Sequence, residues 1–168
     1  MTSSHPKQSR ILAIAPCSKG FGFAVMEGDE VLVDWGVRNV KGEKNASSLV
    51  KLKAMILHYQ PDILVFQDLS AQDSRRSSRI RRLGKQMVAL AARHKVKVKL
   101  FSREKIAGIY FPEAQCTKQQ LAELLAQRFP KELGHRLPPK RKAWMSQDTR
   151  MDLFDAVALA LAVWLSKS

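Results

Sequence analysis

Ile11-Leu-Ala-Ile-Ala-Pro-Cys-Ser-Lys-Gly-Phe-Gly-Phe23 decides how this chain folds. The first five residues form a short continuous apolar run, the mark of a strand buried on both faces. A second strand, Phe21 to Met26, follows Lys19-Gly20, and Glu27-Gly28-Asp29 reads as a hairpin turn. Beyond it, Val31, Val33, Trp35 and Val37 alternate with Leu32, Asp34, Gly36 and Arg38, which predicts a third strand with one apolar face. Gly20 and Gly22 lie between two strands and lack the Gly-x-x-x-x-Gly-Lys-Ser/Thr spacing of a phosphate loop. Their expected use is a turn and close packing.

Working outward from this meander, the period changes. Leu49, Leu52, Ile56 and Tyr59 recur at helical spacing until Pro61. Ile63-Leu-Val-Phe66 is another wholly apolar strand, and Arg75 to His94 is a helix with Ile80, Leu83, Met87 and Leu90 as its buried stripe. Val96, Val98 and Leu100 mark a fifth strand, Thr117 to Phe129 a short helix, and Gly134 to Ala143 a basic loop. Asp152 to Leu165 is apolar nearly all round, as expected of a helix packed in the core. The predicted order is βββαβαβα plus a terminal helix. That is an α/β fold: a mixed five-stranded sheet, flanked by helices, whose first three strands are an antiparallel meander.

The 168 residues suffice for one domain, expected over residues 10–168 behind a disordered tail of residues 1–9. Two cysteines, Cys17 and Cys116, make neither a disulfide framework nor a Cys-rich zinc site, and suit a reducing cytosol. The polar start and the interruption of the longest apolar run by Asp155 argue against a signal peptide and a membrane span, so a cytoplasmic location is expected. The formal charge is +14, which directs attention to a polyanion.

That charge is concentrated. From Ser74 to Arg103 no residue is acidic, and Arg75, Arg79 and Arg82 fall on one helical face. Arg76 precedes them, while Arg81 and Lys85 occupy a neighbouring face. Lys140-Arg141-Lys142, followed by Trp144, forms a second basic patch with an aromatic able to stack on a base or to pack in the core. Unneutralised cations within two turns repel one another, and phosphates relieve that repulsion. Such contacts grip a backbone without selecting bases. Nucleic acid is the expected partner; an acidic protein docked on the same helix is the competing one.

Three stretches, taken in order, carry a resemblance: Ile11 to Phe23, Ile63-Leu-Val-Phe-Gln-Asp68, and Met151-Asp-Leu-Phe-Asp-Ala-Val-Ala-Leu-Ala160. On this hairpin-first plan the chain resembles the RuvC-type Holliday junction resolvases of the RNase H-like superfamily, from Ile11 to about Trp164. The resemblance implies an RNase H-like fold, a dimer acting on branched DNA, and a centre in which carboxylates hold two Mg²⁺ or Mn²⁺ for phosphodiester hydrolysis. Two dications clamping the attacking and leaving oxygens require hard, charged ligands.

At the matching positions this chain departs from the family. The Asp that ends the first strand is replaced by Ala15, the Glu that ends the central strand by Gln67, and the Gly after the turn proline by Cys17. Asp152 and Asp155 keep the acidic pair of the last helix and are the remaining candidate catalytic and metal-binding residues. Asp152 also fits a capping box begun by Thr149. Other acids that could be turned to the site are Asp34, Asp68 and Asp148, although strand alternation aims Asp68 at the opposite face. His58, His94 and His135 have no metal-ligand spacing. The expectation is a DNA-binding RuvC-like domain with impaired or absent nuclease activity, against the alternative of an active metal-dependent endonuclease.

Overall fold

The structure, a computed structural model, describes residues 9–69, 77–113, 115, 117–138 and 150–166. Arg75, Arg76, Cys116, Lys140, Arg141, Lys142, Trp144 and Asp148 lie outside the described residues, as does the tail up to residue 8.

The meander consists of β1 (Arg10–Cys17), β2 (Gly20–Glu27) and β3 (Val31–Asn39). Then come α1 (Lys44–Tyr59), β4 (Ile63–Gln67), α2 (Ser78–Arg93), β5 (Lys97–Phe101), α3 (Arg103–Tyr110), α4 (Lys118–Arg128), α5 (Pro130–Leu133), a 3-10 turn (Gly134–Arg136) and α6 (Met151–Leu165). The sheet order is β3-β2-β1-β4-β5, antiparallel across β1, β2 and β3 and parallel from β1 through β4 to β5.

Local chemistry sets the helix ends. Ser77, Ser102 and Thr117 cap α2, α3 and α4 through side-chain oxygens that accept from backbone N–H groups, and Gln120 completes a capping box with Thr117. Gln60 closes α1 in the left-handed conformation just before Pro61. Helix α3 has no counterpart in the sequence reading. Its eight residues bury no side chain fully, so no apolar stripe announced it. At α6 the N-cap is Arg150, without a side-chain cap, so Asp152 does not stand at the expected capping-box position; Thr149 lies outside the described residues.

Alternation along β1 divides the core in two. Leu12 and Ile14 join Phe21, Phe23, Leu64 and Phe66 beneath α1 and α2. Ile11, Ala13 and Ala15 join Ala24 and Val65 beneath α6, whose Ala156, Ala158, Ala160 and Ala162 are also buried. Large side chains thus fill the first face, while on the second Ala13, Ala15 and Ala24 stand among larger residues such as Ile11, Met26 and Phe101.

The third strand departs from simple alternation. The β2–β3 register shifts between Val25 and Met26, pairing Met26 with Leu32 and Val25 with Asp34. The extra residue of this bulge reverses the facing of the strand's start. Leu32 is therefore buried, while Val31 and Val33 are 52% and 39% exposed. Trp35 and Val37 do pack on the α6 core as expected.

Candidate functional site

Strands β1 and β4 run parallel in a register that pairs Ile14 with Phe66, and its next step sets Ala15 beside Gln67. Both line a cavity of about 240 Å³ at the C-terminal ends of these strands, where open α/β sheets commonly hold ligands. Asp155 of α6 lines it too. The fold thus brings together three of the positions that the sequence singled out. Opposite them stand Arg103 and Lys118, the first residues of α3 and α4, with Thr117 and an apolar floor that includes Ile106, Leu121 and Leu159. The Lys118 ammonium lies 3.5 Å from the Asp155 carboxylate.

Asp152 has a different setting. It is 8% exposed, in the first turn of α6, under the β1–β2 turn. A Cβ at Gly22 would stand 2.1 Å from the Asp152 carbonyl oxygen, so only glycine lets the helix start rest on β2. The Cys17 thiol lies near the Asp152 carboxylate. Burial, and then the charge of Asp152, push that thiol above its ordinary value, with backbone N–H groups of Lys19 and Gly20 pulling the other way.

Divalent metals do not fit this residue set. Ala15 has no oxygen, Gln67 offers only a neutral amide, and Asp155 already faces an ammonium. Among the described residues no group of three or more His, Cys, Asp or Glu side chains could hold a metal ion. Two dications need several charged oxygen ligands held a few Å apart. No catalytic step through a metal follows from these residues.

Nor is Asp34 turned to the site. Its carboxylate accepts from the Tyr59 hydroxyl of α1 and from the Trp35 N–H, on the sheet face away from α6. Partial burial first, and then Asp34, push the Tyr59 phenol up to about 12. Asp68 does not line the cavity but, with Gln67, a second cleft of about 460 Å³ beside α2. The Asp68 N–H extends the β4–β5 ladder by bonding the Phe101 carbonyl.

The basic helix is not uniform. Arg79 turns inward: its guanidinium donates to Asn45 Oδ1 at 3.0 Å and to the Cys17 carbonyl at 3.3 Å, while Asn45 Nδ2 donates to the Arg79 carbonyl. This arginine ties α1, α2 and the β1–β2 turn together. Arg82 and Lys85 are exposed, and Arg81 is half-buried. Arg81 and Lys85 line the second cleft with Leu69, Val88 and Leu100. Sequence reading missed Arg103, Lys118 and the Cys17–Asp152 contact. A usable signal for the first two was a cation directly after a Ser or Thr cap, where the helix dipole disfavours it.

No family model matches the sequence, and no curated protein is significantly similar to it. Solved structures do match. Thermus thermophilus RuvC aligns with a TM-score of 0.66 at 14% identity, over 94% of this chain and 95% of that one. The same protein in complex with a Holliday junction substrate gives 0.68 at 15%, over 95% and 94%. The yeast mitochondrial Holliday junction resolvase gives 0.64 at 14%, over 98% and 82%. The chain therefore has an RNase H-like fold. Within that class its form is that of the RuvC-type resolvases, with the five-stranded sheet and the antiparallel opening that the sequence predicted.

Proposed function

We propose that this domain binds branched or duplex DNA through its cationic surface and lacks an effective two-metal nuclease centre. The observation that carries this reading is the composition of the cavity: Ala15, Gln67 and a Lys118–Asp155 ion pair stand where the resolvases would need a cage of acids. Support for DNA as partner comes from the +14 charge, from exposed Arg82 and Lys85, and from the fold shared with a protein solved on a Holliday junction. Arg76 and the Lys140-Arg141-Lys142-Trp144 stretch extend the proposed contact surface in sequence. The reading includes a homodimer in the cytoplasm, as the family resemblance and the cysteine content suggest.

Binding to a labelled four-way junction and to a matched duplex, followed by anisotropy at rising salt, tests it. The expected result is tight binding whose logarithm falls linearly with the logarithm of salt concentration. Arg82→Glu with Lys85→Glu should weaken binding at least about tenfold and flatten the salt slope by about two. No binding at low salt overturns the proposal. So does junction cleavage in Mg²⁺ or Mn²⁺ that Asp155→Asn abolishes, because the domain would then be an active endonuclease.

A further inference from the structure

The mismatch between the cavity and a metal cage has a positive counterpart. Among the described residues of the lining, Arg103, Lys118 and Asp155 contribute formal charges of +1, +1 and −1, a net +1. Asp152 lies outside that lining, engaged with Cys17. An acid cage attracts dications; a lining of net +1 attracts a monoanion.

The placement of the two cations points the same way. Each is the first residue of its helix, where the macrodipole opposes a positive charge. For Lys118 the nearby Asp155 carboxylate offsets this in part, at 3.5 Å. The start of α4 is closed by its own Thr117–Gln120 capping box, so the cations rather than the helix end supply the attraction. The Gln67 amide adds a neutral donor on the far wall. At about 240 Å³ the cavity exceeds the roughly 30 Å³ share of one water several-fold, leaving room for a tetrahedral oxyanion and its hydration.

We propose that this cavity is a metal-independent seat for a phosphodiester anion, gripped by the Lys118 ammonium and the Arg103 guanidinium. The ammonium does electrostatically what a dication does in a cleaving enzyme, but it activates no water. A phosphate held there is fixed and not cut. The inference rests on the nucleic-acid reading for the source of the anion; the seat itself rests on the cavity.

The test titrates the full chain, in chelator-containing buffer, with a dithymidine dinucleotide and separately with inorganic phosphate, following the Gln67 side-chain amide by NMR. Dinucleotide binding should persist without divalent ions and gain nothing from Mg²⁺. Lys118→Ala and Arg103→Ala should each weaken it at least about tenfold, and Lys118→Arg should restore most of it. Asp155→Asn should tighten it several-fold by removing the competing carboxylate. Circular dichroism confirms that each variant is folded. Binding that appears only with Mg²⁺, or that is indifferent to Lys118 and Arg103, overturns the seat. Binding of inorganic phosphate alone overturns the phosphodiester assignment. A four-way junction titrated in parallel separates the two proposals: junction binding without dinucleotide binding sinks only the seat, whereas loss of both sinks the DNA reading as well.

Discussion

The two faces of the sheet are built on different principles. Under α1 and α2 the strands present Phe21, Phe23, Ile14 and Phe66, and the polar groups there serve structure: Arg79 binds Asn45, and Tyr59 binds Asp34. Under α6 the middle of the meander presents Ala13, Ala15, Gly22 and Ala24, the helix start lies against the backbone, and the ends of β1 and β4 open into a cavity carrying charge. One face tolerates bulk and spends its polar groups on cross-links. The other requires smallness where the start of α6 meets β2, at Gly22. The lesson extends to the two aspartates of α6. They are one turn apart, yet one meets a thiol in the interior and the other an ammonium at a cavity. Their surroundings, rather than their shared residue type, set what each can do.

The largest expected effect falls on the close-packed face. Gly22→Ala should cost about 3 kcal/mol in urea denaturation, since the new Cβ meets Asp152 backbone atoms that cannot rotate away. A cost below about 1 kcal/mol would mean that α6 does not rest on β2 in this way. On the other face, Arg79→Ala should cost about 2 kcal/mol by releasing Asn45 and the Cys17 carbonyl, a loss that exposed Arg82→Ala should not reproduce. Equal, small stability effects for the two arginines would erase the distinction between cross-link and surface.

Smaller effects concern titration. The Tyr59 phenol, raised to about 12 from an ordinary 10.0, adds stability that is fully present below pH 10 and is lost as pH rises towards 12. Burial pushes Tyr110 up as well, its hydroxyl donating to the Ala158 carbonyl at 2.6 Å. Ultraviolet titration should therefore show little phenolate at pH 10 while the protein stays folded, and Tyr59→Phe should cost about 1 kcal/mol at neutral pH. The smallest effect sits at Cys17. Its raised thiol contributes stability below its ordinary 9.0, lost as pH climbs through the higher folded value. Peptide-resolved alkylation of Cys17 at pH 8.5 should be slow and should quicken in Asp152→Asn but not in Asp155→Asn. The same response in both variants would show that the two carboxylates share one environment.

Much of the fold was legible because burial on two faces leaves unbroken apolar runs, as in Ile11 to Ala15 and Ile63 to Phe66, and because Pro61 and Thr117 mark helix ends, whereas the helix expected from Arg75 starts only at Ser78, behind the Ser77 cap. The misreadings have local causes. A bulge is one extra residue without a composition of its own, so Val31 and Val33 looked buried and Asp34 looked available. Helix α3 packs too little apolar surface to show a period. Arg79 belongs to a basic run whose members look alike until Asn45, distant in sequence, claims one of them.

By itself the sequence determined the order of elements, the excess of cations, and the uncharged Ala15 and Gln67 at the ends of two apolar strands, because these follow from residue type and near-neighbour spacing. Only the tertiary structure decided which side chains share a cavity with them. Lys118 and Arg103 come from two helix starts that are remote in sequence from β1, and their meeting in one cavity, with Lys118 beside Asp155, is a property of packing. Electrostatic interaction depends on distance through space, which spacing along a chain does not encode.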